Sequence, residues 1–298
     1  MAVQNTRLGI ILMLGAVFTF AVQDGVSRLL ADKYNVYLIV MIRYWFFALF
    51  VTVMAARSAG GLRRAAATSQ PFLQSFRGVI LIVEVLVTIY AFVVLGLIPT
   101  HAIFASYPLM IAALSGPILG EVVGPRRWAA IGVGFIGILV ILQPGFAVFA
   151  PEALIAVAAA LLFAVYGLAT RYAARKDSAQ TSFFWTGIAG VVAITAVGVF
   201  HWEPMERPDW IWMAMLCVTG ALGHFLLIKC YEVAEASAVQ PFAYFQLVFV
   251  SVIAILFFGE TIELHVALGA VIVVSAGVFT AWRERQRGRK VSGASAIR

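Results

Sequence analysis

The chain has 298 residues, of which 63% are apolar and only 12% charged, with a formal net charge of +7 and a mean hydropathy of +0.98. Soluble domains use about half apolar and a quarter charged residues, so the composition excludes an ordinary soluble domain and predicts a polytopic membrane protein. In a membrane protein the positive charge indicates contact with an anionic lipid bilayer, and no nucleic-acid partner is expected.

Ten hydrophobic segments follow one another along the chain. Most have the roughly 20 residues that a helix needs to cross a hydrocarbon layer of about 30 Å, and the fifth is the shortest. The pattern predicts an all-α integral membrane protein with ten transmembrane helices. The segments are Leu8 to Leu30, Val36 to Ala56, Phe72 to Leu95, His101 to Leu119, Trp128 to Leu142, Glu152 to Tyr172, Thr181 to Phe200, Trp210 to Tyr231, Ala238 to Phe258 and Leu264 to Trp282.

Basic residues outside these segments fall on alternate loops. If Met1 is cytoplasmic, only Lys33 and Arg207 lie on the outer side. Cytoplasmic loops carry an excess of Lys and Arg, so this division predicts a multi-pass protein of a bacterial-type inner membrane with both termini in the cytoplasm. The inner set is Arg7, Arg57, Arg63, Arg64, Arg126, Arg127, Arg171, Arg175, Lys176, Arg283, Arg285, Arg287, Arg289, Lys290 and Arg298.

Two short patterns recur in the second half of the chain. Gly120-Glu121 recurs as Gly259-Glu260, a shift of 139 residues, and Phe20-Ala21-Val22 recurs as 163–165, a shift of 143. We therefore predict two five-helix repeats, residues 1–145 and residues 146–298, the second ending in a basic cytoplasmic tail. Because five is odd, the second repeat should enter the membrane from the opposite side, and inverted repeats place their site near the midplane between them.

Several stretches resemble the drug/metabolite transporter superfamily, in its ten-helix branch with two EamA domains. In the first half these are Asp24 with Arg28, Arg43-Tyr44, Arg77-Gly78 and residues 98–145. In the second half residues 220–285 carry the resemblance, including Pro241, Tyr244, Gly259-Glu260 and Gly277. Leu247 stands where the second repeat of the family often has the proline that matches Pro108.

The resemblance implies an inner-membrane carrier of small metabolites, often an exporter. Some relatives in that superfamily export amino acids, including aromatic ones, and others carry nucleotide-like compounds. We therefore expect a small-molecule substrate and take the amino-acid exporter branch as the leading assignment.

Four ionisable residues lie within the first three segments: Asp24, Arg43, Arg77 and Glu84. A charge in the bilayer interior is costly unless it is paired or hydrated. Helix depth lets Asp24 pair with Arg43 across the first hairpin, lets Arg43 reach Glu84, and lets Arg77 and Glu84 bracket a polar pathway. These charges form either a structural network or a site for substrate and proton coupling, with Glu84 and Asp24 the candidates for coupling.

Other polar and aromatic side chains complete the candidate site. His101 and His224 are either cavity residues or ordinary packed histidines, and the tyrosines and tryptophan either contact an aromatic or apolar substrate or simply pack between helices. The full candidate set for substrate binding or coupling is Gln23, Asp24, Arg43, Arg77, Glu84, Tyr90, His101, Tyr107, Tyr166, Trp185, His224, Tyr244 and Gln246.

Proline and glycine mark expected bends and contacts. Pro108 lies inside a span, where it cannot donate to the carbonyl of Phe104, so the fourth helix should kink. Gly220 and Gly223 are candidate hinges. Segments five and ten, almost uncharged and rich in glycine, are expected at the periphery as brackets or as the face of a homodimer.

The resulting functional hypothesis is a secondary carrier that exports small metabolites by alternating access, with a carrier of nucleotide-like compounds as the alternative. No HExxH, DDxxD or HxxxD pattern supports a membrane-embedded enzyme, and no repeated filter motif supports a channel. No histidine pair has metal-ligand spacing, and no cofactor is expected.

Overall fold

The computed structural model describes residues 5–120, 124–143, 151–233 and 242–295. Within these ranges the regular structure is helical, without β-strands. Glu121 and Pro241, which contributed to the sequence patterns above, lie outside the described residues.

The helices are numbered in chain order. A short 3₁₀ turn, Val199–His201, follows the ninth helix. The helices are α1 Thr6–Ala31, α2 Val36–Arg57, α3 Gly61–Ala66, α4 Pro71–Leu95, α5 Leu97–Phe104, α6 Tyr107–Leu119, α7 Pro125–Leu142, α8 Ala153–Ala173, α9 Ala179–Gly198, α10 Asp209–Val233, α11 Phe245–Phe258 and α12 Leu264–Ser295.

Every predicted hydrophobic segment is mainly helical over its described residues, with turns at 105–106 and 244, and the segments differ in length. In the described part of the chain, seven helical stretches are long and apolar enough to cross a membrane, α5 and α6 together counting as one. Three apolar stretches are shorter: Trp128–Leu142, Phe245–Phe258 and Leu264–Phe279. The protein is therefore a multi-pass helical membrane protein, while ten crossings remain a prediction.

Local sequence explains where several helices begin and end. Asn35 and Ser178 accept hydrogen bonds from the backbone N–H of Leu38 and Thr181, at 2.9 and 3.1 Å, and so cap α2 and α9. Gly120 and Gly259 end α6 and α11 with φ of 73° and 64°. A side chain is strained in this left-handed conformation, so glycine terminates both helices.

The helices pack as a bundle in which the two halves of the chain interleave. Helix α1 packs against α10 and α11, and α4 packs against α8 and α9. Helix α2 packs against α9 and α10, while α6 packs against α8. The core therefore forms between the halves, which places α1, α2, α4, α5, α10 and α11 around its centre.

Helices α7 and α12 pack closely through their glycines. A Cβ on Gly137 would lie 2.9 Å from the carbonyl oxygen of Gly269, so the two backbones touch. This contact lies within one chain and uses the glycine faces on which the homodimer prediction was based. The homodimer is therefore still a prediction, and the face left for it is the outer, apolar side of these helices, exposed at Phe135, Ile136 and Val271.

Candidate functional site

A chain of buried and half-buried polar side chains lies at the centre of the bundle. Gln246 on α11 donates to Asp24 Oδ2 at 3.1 Å, and Gln23 donates to Asp24 Oδ1 at 3.4 Å. The Gln23 side-chain oxygen accepts from Arg43 Nη2 at 3.1 Å. We call Gln246, Asp24, Gln23 and Arg43 the polar bridge. His101 Nε2 lies 3.2 Å from Asp24 Oδ2, although not in hydrogen-bond geometry.

Gly220 on α10 makes room for one link of the polar bridge. A Cβ at this position would lie 3.1 Å from Arg43 Nε and 3.2 Å from Gln23 Oε1, closer than carbon normally approaches polar atoms. At Gly223 a Cβ would press on the ring of Phe20. Helix α10 runs without interruption through both glycines, so they serve close packing in this conformation, and their role as hinges stays a prediction.

Two pockets lie at opposite ends of the polar bridge. The α5–α11 pocket encloses about 390 Å³ of empty space, including its open mouth, and the α2–α10 pocket about 260 Å³. Both volumes include space that opens to the outside, so neither pocket is a closed chamber of metabolite size, and a metabolite needs both pockets or a more open conformation. The first is lined by His101, Phe104, Ala105, Tyr107, Pro108, Ala243, Tyr244, Gln246 and Leu247, and the second by Arg43, Tyr44, Phe47, Cys217, Gly220, Ala221 and His224.

Interrupted helices form the α5–α11 pocket. The segment expected to kink at Pro108 is broken into α5 and α6 by a turn at Ala105 and Ser106. A turn at Tyr244 likewise precedes α11, although Leu247 is not a proline. Such interruptions leave backbone groups without helical partners, and in a membrane they are tolerated where they line a cavity.

Four aromatic rings from α5, α6 and α8 form an aromatic cluster beside this pocket. The ring of Phe163 lies 5.3 Å from Phe104, 4.8 Å from Tyr107 and 6.0 Å from Tyr166, between centroids. Sequence reasoning selected the two tyrosines and missed both phenylalanines. The recurring Phe-Ala-Val pattern, which contains Phe163, was the available signal.

Arg77 and Glu84 occupy separate networks, contrary to the predicted polar pathway between them. Arg77 donates to Gln74 and, at 3.0 Å, to Thr170 Oγ1, and its guanidinium lies 5.4 Å from the ring centre of Tyr166. Glu84 accepts from the Thr88 hydroxyl at 2.7 Å. These contacts favour a structural role for Arg77.

The two other predicted ion pairs are also corrected. Arg43 bonds to Gln23, so an amide separates Arg43 from Asp24 and the two charges do not pair directly. The described partner of Glu84 is Thr88 rather than Arg43. The sequence predicted the depth of these side chains in the membrane. Which of their atoms meet depends on the rotation of each helix about its axis, which the sequence did not predict.

Two predicted residues lie away from the pockets. Tyr90 is 52% exposed on a stripe of α4 shared with Val83 and Val94, outside the polar bridge. Trp185 donates to the carbonyl of Ala66 at 3.1 Å and thereby attaches α9 to the end of α3. We therefore remove both from the candidate binding set.

Two further predicted residues, His224 and Tyr244, line the pockets. The His224 ring packs 5.1 Å from Phe20 and 5.8 Å from Phe47, between centroids, and faces the α2–α10 pocket. Tyr244 lines the α5–α11 pocket and directs its hydroxyl towards Gly277. Within the described residues, no group of three or more His, Cys, Asp or Glu side chains is arranged to hold a metal ion.

A multi-pass helical bundle with a buried polar chain between two internal pockets is the architecture of a membrane carrier for small molecules. The sequence model of the EamA-like transporter family matches residues 7–143 and 150–282. The chain therefore belongs to the EamA-like transporter family.

Individual proteins share this similarity over most of the chain. An S-adenosylmethionine uptake transporter of Rickettsia prowazekii is 26% identical over 281 residues, which cover 93% of this chain and 94% of that protein. A riboflavin transporter of Rhizobium johnstonii is 32% identical over 197 residues, 63% of each chain. One solved crystal structure has a TM-score of 0.60 at 18% identity and covers 94% of this chain and 97% of its own, which shows the shared fold.

These similarities correct one assignment made from the sequence. The membership in the family is confirmed, but the proteins that resemble this chain are S-adenosylmethionine and riboflavin transporters. They do not support the amino-acid exporter branch.

Proposed function

We propose that the chain is a secondary carrier of the bacterial inner membrane that transports a metabolite combining a flat ring system with polar or charged groups. S-adenosylmethionine is the first candidate substrate, because its transporter in Rickettsia prowazekii is similar over 93% of this chain. Riboflavin is the second, because the Rhizobium johnstonii protein has the higher identity over a shorter region. The alternative of nucleotide-like substrates thus replaces amino acids as the leading class.

The observation that carries this proposal is the position of the polar bridge between the two pockets. Gln246 lines the α5–α11 pocket and Arg43 lines the α2–α10 pocket. Substrate that displaces the hydrogen bonds of the bridge would join the pockets into one larger site. Aromatic rings at one end and charged groups at the other suit a substrate with both kinds of group.

Two inverted repeats, residues 1–145 and 146–298, would supply the movement. In these repeats α1 corresponds to α8, α2 to α9 and α4 to α10. The α1–α10 contact therefore has the α8–α4 contact as its counterpart, and the α4–α9 contact has the α10–α2 contact; all four are present. The turns at Ala105 and Tyr244 differ by the same 139 residues as Gly120 and Gly259. This regularity supports rocking of the repeats about the central site.

The direction of net transport follows the substrate and ion gradients. The Rickettsia prowazekii relative is named an uptake transporter, which supports import rather than the export expected from the superfamily. A carrier of this design catalyses exchange in both directions, so exchange is the assay that does not depend on direction.

The test is a counterflow experiment with the purified protein in liposomes. Liposomes loaded with unlabelled S-adenosylmethionine should accumulate the labelled compound transiently and saturably, whereas protein-free liposomes should not. Labelled riboflavin and phenylalanine are measured in parallel. If the protein exchanges phenylalanine but neither S-adenosylmethionine nor riboflavin, the proposed substrate class is wrong. If folded protein exchanges none of the three compounds, none of them is its substrate.

A further inference from the structure

The charges of Asp24 and Arg43 are held next to each other but are not paired. Each contacts the same amide side chain, because Gln23 donates to the carboxylate and accepts from the guanidinium. Both residues are 9% exposed. The arrangement therefore keeps a negative and a positive group inside the bundle with a neutral group between them.

Each charge also faces a different pocket. Arg43 lines the α2–α10 pocket directly. Asp24 contacts Gln246 and lies 3.2 Å from His101, both of which line the α5–α11 pocket. A direct Asp24–Arg43 salt bridge would satisfy both charges within the protein, whereas two amide contacts leave much of each charge available to a ligand.

The order of chemical groups through the centre is fixed by these contacts. Phe104 and Tyr107 lie at the α5–α11 end, Asp24 comes next, and Arg43 lies beyond Gln23. A complementary ligand has a flat ring, then a positive centre, then a negative group. S-adenosylmethionine has this order, because its sulfonium lies between the adenosine and the amino-acid carboxylate.

We propose that Asp24 recognises the sulfonium of the substrate, that Arg43 recognises its carboxylate, and that Phe104 and Tyr107 contact the adenine. This inference rests on the proposed function and specifies which residues recognise each group of the substrate. The Gln23 amide then acts as a placeholder that holds both charged side chains in position until substrate replaces its hydrogen bonds.

The proposal predicts discrimination between compounds that differ by one methyl group. S-adenosylhomocysteine keeps the adenosine, ammonium and carboxylate but has a neutral sulfide in place of the sulfonium. Methylthioadenosine keeps the adenosine and a neutral sulfide but lacks both amino-acid charges. If Asp24 reads the sulfonium, S-adenosylmethionine should compete for uptake about tenfold better than S-adenosylhomocysteine.

Competition is measured in wild-type protein and in two variants. Asp24→Asn should weaken the binding of S-adenosylmethionine about tenfold and leave the binding of S-adenosylhomocysteine nearly unchanged, because only the sulfonium loses a partner. Arg43→Gln should weaken the binding of S-adenosylmethionine and S-adenosylhomocysteine, which both carry the carboxylate, and leave the binding of methylthioadenosine unchanged. Glu263→Gln, an exposed carboxylate on a loop, is the matched control and should change none of the three.

The outcomes separate this inference from the proposed function. If wild-type protein exchanges S-adenosylmethionine but binds S-adenosylhomocysteine equally well, the sulfonium assignment is wrong, whatever the variants do. If Asp24→Asn weakens the binding of all three compounds equally, Asp24 has a structural role rather than a role in recognising the sulfonium. If wild-type protein exchanges riboflavin and none of the three adenosine compounds, the first substrate candidate itself has failed.

Discussion

Among the buried carboxylates that the structure describes, Glu84 has the fewest compensating contacts. It is 4% exposed, and its described hydrogen bond comes from the Thr88 hydroxyl one turn away on the same helix. A charged carboxylate in the bilayer interior is unfavourable without a cationic or hydrated partner. A group in this position suits reversible protonation during a transport cycle, which is the coupling role considered from the sequence.

Replacing Glu84 by Gln tests this role. Gln preserves the shape and a hydrogen-bonding oxygen for Thr88, so counterflow exchange should continue. Stimulation of net uptake by an imposed proton gradient should fall to the unstimulated level. The measurement compares uptake with and without the gradient, with Glu263→Gln as control, and an unchanged gradient response would assign Glu84 to structure.

A second residue-scale prediction concerns the glycine at the polar bridge. Gly220→Ala places a methyl group about where Arg43 Nε and Gln23 Oε1 now approach the backbone, so the hydrogen bond between these two side chains must shift. Alanine also favours helix by about 1 kcal/mol over glycine, which offsets part of the steric cost to folding. We expect several-fold weaker substrate binding with a melting temperature changed by only a few degrees.

The matched control for that variant is Gly132→Ala, because a Cβ on Gly132 meets no atom within 4 Å. This control should gain the same helix propensity without loss of transport. Weaker binding in both variants would mean that the effect comes from the added helix propensity or from general stability rather than from the polar bridge.

At the scale of helices, hydrophobicity predicted where most helices lie. It did not predict the rotation of a helix about its axis or a short helix within a loop. Helix α2 begins at the predicted Val36, and the break before Pro108 falls in the predicted segment. The six-residue helix α3 lies in a loop and has no hydrophobic signal to reveal it. The rotation of α4, which turns Glu84 inward and Tyr90 outward, depends on tertiary packing.

Helix α5 begins with an unusual cap from the other half of the chain. The Glu260 carboxylate accepts from the backbone N–H groups of Leu97 and Ile98 at 2.7 and 2.9 Å. Its Oε1 atom also lies 3.9 Å from Arg28 Nη1. A negative charge at a helix N-terminus satisfies free N–H groups and favours the helix dipole.

Glu260→Ala should therefore lower stability by about 1 to 2 kcal/mol, the usual effect of losing a helix cap. Because the cap joins the two halves, opening on this side of the molecule should also become easier. Thermal unfolding in detergent measures the first effect, and labelling of a cysteine placed at Thr100, now fully buried, measures the second. A stable variant with unchanged labelling would contradict the assignment.

The contact between the loop before α9 and the start of α4 predicts a pH dependence. Burial acts to raise the pKa of Asp177, but hydrogen bonds from Thr68, Gln74 and the Ser69 N–H outweigh it and bring the pKa below its ordinary value of 3.8. A carboxyl whose pKa is lower in the folded state adds stability above its unfolded pKa, and that stability is lost as the pH falls through the folded pKa.

Asp177→Asn should consequently be less stable than wild type at pH 7, and the difference should shrink below about pH 4. Melting temperatures of both proteins at pH 7, 5 and 3.5 measure this. Glu152→Gln, at an exposed position whose side chain makes no capping hydrogen bond, controls for general removal of a carboxylate. A difference that stays constant with pH would show that the hydrogen bonds of Asp177 do not depend on its charge.

For the whole molecule, the number of crossings decides whether the repeats are inverted. Lys33 follows α1 and Lys176 follows α8, and the two lysines are related by the same shift of 143 residues as the Phe-Ala-Val patterns. With ten crossings, five spans separate the equivalent positions, so they face opposite sides of the membrane. If only the seven long stretches cross, α7 does not, and both lysines face the same side.

Single cysteines at Lys33 and Lys176 distinguish these topologies. Both side chains are exposed, and the native Cys217 and Cys230 are buried, so a membrane-impermeant thiol reagent should report the new cysteines. In intact cells Lys33→Cys should react and Lys176→Cys should react only after the membrane is permeabilised, because cytoplasmic loops carry the basic residues. Reaction of both in intact cells would rule out inverted repeats, and with them the rocking movement proposed for transport.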